Sequence, residues 1–594
     1  MADAERASSS RAAELQNYRR PLSAPHLRRA VAVSAAGGLL VIAQAWLVAY
    51  VVHRVAFLGA GLDEVRLALA AVVAIVATRA LALLGAEREA HRAGAAVKQA
   101  LRTELVAHIL KLGPIGVSGE PTGRLVAAVT EAPQAVEPFF ARYLPATRLA
   151  GILPLAILAV VLPLDWVSGL VLIVTAPLIP LFMVLIGAGA ERLNQRQWRR
   201  LARMSGHFLD AVQGLATLKA LGASKRQAAS IARTADAYRR DTMAVLRVAF
   251  LSSLALEFFA TVAIAIVAVL VGFRLLWGQM DFFHGFLVLL LAPELYLPLR
   301  TLGAAYHARM EAIGAADRIA AVLDTPVAGH RQGGRQIGHV SPPAIAFEDV
   351  RVVFPDGRVG LDGRGLEIAA GERGALVGPS GAGKSTVLNL LLGFIAPASG
   401  RILVDGVPLA EIEPRHWLAR TAFLGQRTHL FEATIAGNIA MKIDGEPSGH
   451  EMERVREAAR RAFANDFIDA LPAGYDTVVG EHGVGLSGGE VQRIAVARLF
   501  YRDAPLVLVD EAAAHLDRQS EELVSRALED LARGRTVIAV AHRHANVRDA
   551  DRVLVLDNGR LSDAGAPAAL LAGSGPLARM WRRSASAGAQ AGPP

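Results

Sequence analysis

Nine consecutive residues, Gly378, Pro379, Ser380, Gly381, Ala382, Gly383, Lys384, Ser385 and Thr386, carry the densest chemistry in this 594-residue chain. They fit G-x-x-x-x-G-K-[ST]. In that pattern glycines let backbone N–H groups curl round phosphate oxygens, the lysine reaches the β and γ oxygens, and the hydroxyl of Ser385 ligates Mg²⁺. The apolar triplet Ala375, Leu376 and Val377 precedes the loop and VLNLLLG follows it, so a strand delivers the loop and a helix N-terminus faces the phosphates. A glycine-rich turn ahead of an ordinary helix would not need strand, loop, lysine and helix in this order.

A second stretch supplies acids. Leu506, Val507, Leu508 and Val509 read as a buried strand that ends in Asp510 and Glu511. Hydrolysis by an attacking water needs one carboxylate in the Mg²⁺ shell and one beside the γ-phosphate, which makes Asp510 a metal ligand and Glu511 the candidate general base. Two acids capping the next helix would be the plain alternative; the phosphate loop upstream favours chemistry.

The third stretch is Leu486, Ser487, Gly488, Gly489 and Glu490, followed by VQRIAVARL. Ser487 can cap the helix that follows, and the two glycines expose N–H groups at its N-terminus. Here the chain resembles the ATP-binding cassette (ABC) ATPases, whose LSGGQ-type signature has this form. The resemblance implies that Ser487, Gly488, Gly489 and Glu490 contact nucleotide held by a second cassette. It also implies that Phe354 (in VVFPDG) stacks on adenine, that Gln426 (in FLGQRTHLF) contacts Mg²⁺ beside Ser385 and Asp510, and that Asp517 (in AAAHLD, with Ala514 in place of the usual serine) is the D-loop aspartate. By the same resemblance Glu481 (in TVVGEHG) lies in a loop facing the membrane domain, and His542 (in VAHR) orients the γ-phosphate and water. Lys384, Gln426, Glu511 and His542 are then the catalytic set, with ATP and Mg²⁺ as cofactors.

These motifs occupy only the second half. Hydrophobic residues make up 53% of the chain, charged residues only 20%, and mean hydropathy is +0.36, a balance that calls for bilayer-length helices. Apolar runs lie near residues 30–58, 65–86, 143–163, 166–188, 243–278 and 283–303, each near or above the ~20 residues that span a hydrocarbon core. The connectors near Asp63, Asp165 and Gly278 are short. Those at 87–142 and 191–242 are long, helical in pattern and rich in Arg and Lys. By the positive-inside rule the N-terminus and both long segments face the cytoplasm. The expected organisation is an N-terminal cytoplasmic segment (1–29), a six-helix α-helical transmembrane domain (30–322), a Gly- and Pro-bearing flexible linker (323–343), an α/β P-loop nucleotide-binding domain (344–575) and a disordered tail (576–594). The stretch that follows residue 29 is too long for a signal-peptide core and is expected to remain as an anchor.

Net charge is +9, but the basic residues sit between apolar runs rather than beside aromatics in one patch, which argues against a nucleic-acid partner. The chain has no cysteine. That excludes a disulfide framework and thiolate metal sites in this chain, and leaves thiols open as cargo.

Six spans with two long cytoplasmic arms and one cassette resemble half of an ABC exporter, so a second half is needed. The segments VIAQAWLVA (41–49), TAPLIPLFMVLIGAGA (175–190), LARMSGHFLDAVQG (201–214), VLRVAFLSSLALEFF (245–259) and LAPELYLPLRTLGAAYHARMEAIGAADRI (291–319) resemble, more particularly, the CydD half of the CydDC-type exporters. That resemblance implies a bacterial inner-membrane heterodimer with a CydC-like partner, a role in cytochrome bd assembly, and a small cargo, either glutathione and cysteine or haem. A general drug or lipid exporter half and an ATP-switched assembly factor without net transport are the alternatives. Within the spans, Glu257, Glu294 and Arg300 are ionisable groups and mark a candidate substrate cavity holding Glu294 and Arg300, with a structural ion pair or helix ends extending into the cytoplasm as the plainer reading. Pro293 and Pro298 should bend the helix that carries them. His53 and His91 are candidate haem ligands, with interfacial placement as the plainer reading.

Overall fold

The computed structural model describes residues 20–120, 122–182, 196, 200, 203–204, 206–327, 333–336, 341–354, 357–363, 365–442, 445–480, 485–511, 516–541 and 547–582. The chain divides into two compact units, one of Met1–Leu110 and Gly119–Thr325, the other of Lys111–Ser118 and Pro326–Pro594.

The first unit is helical. Its described helices are α1 (Arg20–Leu58), α2 (Leu62–Val117), α3 (Thr122–Pro138), α4 (Leu144–Leu164), α5 (Trp166–Thr175), α6 (Leu215–Ala220), α7 (Ser224–Leu276) and α8 (Phe282–Leu323). A π-helical turn, Phe139–Tyr143, joins α3 to α4. Five stretches are long and apolar enough to cross a bilayer: Pro21–Leu58, Leu62–Val117, Gly123–Leu164, Glu257–Leu276 and Phe282–Leu323. A sixth, Trp166–Phe182, is apolar but shorter, and its continuation lies outside the described residues. Large apolar side chains stand exposed along these helices, among them Leu67 at 81% and Leu81 at 70%. Water would penalise such a surface, whereas lipid tails solvate it.

The long connector at 87–142, expected to be helical in pattern, is largely helix. α2 continues without interruption until Gly113, whose φ of 67° lies in the left-handed region ahead of Pro114. At the other end of the spans, side chains close the turns. Asp165 accepts a hydrogen bond from the Val167 N–H (3.2 Å) and starts α5; Asp281 does the same for α8 through the Phe283 N–H (3.0 Å). Asp165, fully buried at its side chain, also pairs with Arg274 near the end of α7. Between the spans, Ile157, Leu172, Val267, Leu291 and Leu295 form one buried core, and Tyr296 anchors it through its hydroxyl to Thr175 Oγ at 2.6 Å. A second core of Leu101, Leu105, Phe139, Phe140 and Ile319 holds the extramembrane parts of α2, α3 and α8.

Arg300 pairs with Glu257 on α7, a structural ion pair as the plainer reading of these charges has it, while Glu294 lies six residues before Arg300 and on another side of α8. Pro293 and Pro298 both lie inside the one continuous helix α8.

The second unit is α/β. Strands β1 (Ile345–Val353), β2 (Val359–Gly363), β3 (Leu366–Ile368), β5 (Ser399–Val404) and β6 (Val407–Pro408) form an antiparallel sheet in the order β2-β1-β5-β6, with β3 also on β1. Strands β4 (Arg373–Val377), β7 (Thr421–Leu424), β10 (Leu506–Asp510), β11 (Thr536–Val540), β12 (Arg552–Asp557) and β13 (Arg560–Gly565) form the main sheet, ordered β13-β12-β4-β11-β10-β7. All its pairings are parallel except β12 with β13. A parallel sheet is covered on both faces, which is why β10 reads as four apolar residues in a row. A two-stranded pair, β8 (Ala433–Thr434) with β9 (Val478–Val479), lies apart. Helices α9 (Lys384–Leu392), α10 (Gly488–Arg502) and α11 (Arg518–Ala532) follow the three motifs in turn.

Composition misjudged both edges of this unit. Within the stretch expected as a flexible linker, Arg335 makes a parallel bridge with Ile412: its N–H donates to Glu411 O and its carbonyl accepts from the Glu413 N–H, both at 3.0 Å. A Cβ on Gly333 would fall 2.1 Å from the Glu411 carbonyl carbon, so this glycine permits close packing rather than freedom. In the stretch expected as a disordered tail, residues 576–582 are helical, with Leu577 and Ala578 buried and Met580 and Trp581 packed on the same cluster. The remainder of that stretch lies outside the described residues.

Candidate nucleotide site

The phosphate loop spans the end of β4 and the start of α9. Gly378, Gly381 and Gly383 have φ of 157°, 81° and 101°, backbone that a side chain would strain. Space is equally short: a Cβ on Gly378 would meet Leu556 O at 2.2 Å, and one on Gly383 would meet Gly360 O at 2.5 Å. The loop bounds a cavity of about 430 Å³ that is also lined by Phe354, Arg358, Thr386, Gln426, Asp510 and Glu511.

Lys384 is buried, and its ammonium donates to Gly378 O (2.6 Å) and Pro379 O (2.9 Å). Desolvation pulls it below the ordinary lysine range, opposed by the negative charges of Glu511 and Asp510. Ser385 Oγ lies 3.5 Å from Asp510 Oδ2, bringing a hydroxyl and a carboxylate oxygen together as Mg²⁺ prefers. Gln426 Nε2 donates to Glu511 Oε2 at 2.9 Å. Glu511 adopts φ 48°, a left-handed conformation that costs a non-glycine residue roughly 1–3 kcal/mol and is kept where surrounding contacts impose it. The strand therefore ends in a sharp turn that aims this carboxylate at Gln426. A hollow bounded by backbone that tolerates no Cβ, a cation, and adjacent hard oxygen donors fits a nucleotide triphosphate with Mg²⁺.

Ser487, Gly488, Gly489, Glu490 and Asp517 do not line this cavity. They form a second cluster. Ser487 and Glu490 make a reciprocal capping box: the Ser487 N–H donates to Glu490 Oε2 (2.6 Å) and the Glu490 N–H to Ser487 Oγ (3.3 Å). Asp517 caps α11 by accepting from the Ser520 N–H at 3.0 Å, and the hydrogen bonds from Ser520 hold its carboxyl below the usual range. A Cβ on Gly489 would lie 2.1 Å from Ser520 Oγ, so the glycine lets the starts of α10 and α11 touch. His542 and Glu481 lie outside the described residues.

Sequence reasoning missed the wiring between these clusters. Thr428 Oγ, two residues past Gln426, donates to Gln492 Oε1 on α10 at 2.8 Å. Arg498, also on α10, donates to Asn438 O (2.8 Å), Asn438 Oδ1 (2.8 Å) and His429 O (2.7 Å), and burial lowers its pKa to about 10. The available signal was an arginine at an otherwise apolar position of the helix VQRIAVARL. Arg358 and Gly360 were also missed: the Arg358 guanidinium sits 5.9 Å from the centre of the Phe354 ring, and a Cβ on Gly360 would meet that ring at 2.5 Å.

Fold and site together define a P-loop ATPase joined in one chain to a helical membrane domain. Residues 361–514 match the family model of the ABC transporter, and residues 30–292 that of the ABC transporter transmembrane region. The glutathione/L-cysteine transport system ATP-binding/permease protein CydD of Escherichia coli (strain K12) is 37% identical over 552 residues, covering 91% of this chain and 93% of that protein. CydC of the corresponding system in Bacillus subtilis (strain 168) is 33% identical over 475 residues, covering 80% of this chain and 82% of that protein. A solved bacterial Atm1-family ABC exporter with ATP bound matches 94% of this chain and 98% of its own, with a TM-score of 0.79 at 28% identity. The chain belongs to the ABC transporter family, on its CydD branch. It is a membrane protein that binds ATP and couples ATP hydrolysis to transport.

Proposed function

We propose that this chain is one half of a heterodimeric exporter, that it pairs with a CydC-like half, and that it moves a small thiol compound, glutathione or L-cysteine, across a bacterial inner membrane. The single cassette and the glutathione/L-cysteine transport for which the CydD and CydC relatives are named support this reading. Haem is the competing cargo or ligand. His53 stacks on Phe57 and Phe282, and His91 Nδ1 lies 3.9 Å from the Glu137 carboxylate on α3. The amino-terminal segment, the arms and the cassette face the cytoplasm under the positive-inside rule.

The observation that carries the mechanism is the Gln426–Glu511 hydrogen bond at the mouth of the phosphate loop. Bound Mg²⁺–ATP supplies the phosphoanhydride that is cleaved. Lys384 and the loop N–H groups bind the phosphate oxygens; Ser385, Asp510 and Gln426 serve the cation; Phe354 stacks on the base. Glu511 accepts the proton of the attacking water, and His542 orients that water and the γ-phosphate. Gln426 holds the Glu511 carboxylate until the site closes. Ser487, Gly488, Gly489, Glu490 and Asp517 complete the partner's site, so two ATP molecules join the cassettes and the closure opens the membrane cavity outward.

The test is ATPase activity of the chain in lipid, with and without its CydC-like partner, under titration with reduced glutathione, cysteine and haem. Stimulation by thiols that needs the partner supports the reading. Full activity of this chain alone, indifferent to all three ligands, overturns it.

A further inference from the structure

The membrane unit holds a cavity of about 440 Å³ between α1, α2, α4 and α8, within the ~300–1,000 Å³ of small-molecule sites. Its wall is apolar along Leu149 and Leu153, with Ser34 and Thr301 adding hydroxyls and Arg79 the one formal charge among its lining residues. Arg79 donates to the Gln44 side chain, a neutral partner. Other arginines of the spans, Arg54, Arg274 and Arg300, pair instead with Glu64, Asp165 and Glu257. An arginine near the membrane boundary with no acidic partner among the described residues is open to an anion that reaches it.

Depth identifies the anion. Counted from the ends that carry the short connectors, Arg79 lies roughly 26 Å along α2 and Thr301 roughly 28 Å along α8, whereas Leu153 lies only about 17 Å along α4. In a hydrocarbon core of ~30 Å the charged end of the cavity thus meets one headgroup plane, and its apolar end reaches towards the bilayer centre. We propose that this cavity binds an anionic glycerophospholipid of the leaflet on the arm side, with the phosphate on Arg79 and an acyl chain along Leu149 and Leu153. This lipid is distinct from the transported cargo and from the nucleotide, and the proposal stands whether or not the thiol reading holds.

The test uses the full chain, with any copurifying subunit, in nanodiscs of phosphatidylcholine with or without phosphatidylglycerol, and reads the lipids retained on release by native mass spectrometry. The wild type should keep one phosphatidylglycerol in preference to phosphatidylcholine. Arg79→Gln should lower that preference about tenfold, the effect of one charge-assisted hydrogen bond, and Arg79→Lys should keep most of it. Ala80→Phe, which fills the cavity and leaves Arg79 in place, should reduce retention as well. An unchanged preference in Arg79→Gln overturns the proposal. So does retention unaffected by Ala80→Phe, or displacement of the lipid by glycerol 1-phosphate, since either would mean that the site reads a phosphate without its chains.

Discussion

The cassette and the membrane unit both contain buried ionic groups, yet the two use them differently. In the cassette, Lys384, Asp510, Glu511 and Gln426 converge on one hollow, and each is held by a backbone turn or a neighbour within a few ångströms. In the spans two charge pairs stand apart from each other, Arg274 with Asp165 and Arg300 with Glu257, each tying two helices together. Convergence means chemistry, because a reacting phosphate needs several groups at once. Dispersed pairing means architecture, because one charge at bilayer depth needs only one opposite charge.

Predictions that break or sharpen this contrast begin with the largest effect. Glu511→Gln should lower the ATP hydrolysis rate by about 10²–10⁴-fold, the range for a removed general base, while nucleotide binding persists. Phosphate-release assays paired with nucleotide-binding measurements check this, and hydrolysis near the wild-type rate would remove Glu511 from its assigned role. Arg274→Ala should destabilise the membrane unit by about 3–5 kcal/mol, since it strands a fully buried Asp165 carboxylate. Thermal unfolding in detergent reads the loss, and the double variant Arg274→Ala with Asp165→Asn should recover part of it.

Arg498→Ala should cost the cassette about 3 kcal/mol, because three acceptors lose a buried donor. It should also slow hydrolysis, as the segment after Gln426 loosens from α10; a stable variant with wild-type turnover would refute that link. By contrast, Arg300→Gln should cost less than Arg274→Ala, since neither partner of its pair is enclosed by protein as the Asp165 carboxylate is. A loss as large as that of Arg274→Ala would erase the distinction between buried and open pairs.

The smallest effect concerns acid. Asp517 titrates below the usual carboxylate range in the folded chain, so its contribution to stability is complete above the unfolded value near ~3.9 and is lost as pH falls through the lower folded value. Asp517→Asn should flatten the stability profile in that acid window only. An effect near neutral pH would point to another group.

The amino-acid order alone determined the chemistry of the cassette. GPSGAGKST, LVLVDE and LSGGE each set a loop conformation through local rules: glycine's tolerance of positive φ, an apolar strand ending in acids, a serine with glutamate three residues on. The approximate positions of the spans were legible for a similar reason, since crossing a bilayer requires long apolar runs and nothing else mimics them. Tertiary structure decided whatever depends on partners far apart in sequence. Arg300 could be assigned to Glu294 or to Glu257 only once α7 was seen beside α8. Gly333 and Leu577 belong to the folded cassette because Glu411 and the cluster around Val555 meet them there, contacts that composition cannot express. Arg498 and Arg79 carried no motif; a single charge gains meaning only from the burial and neighbours that the fold provides.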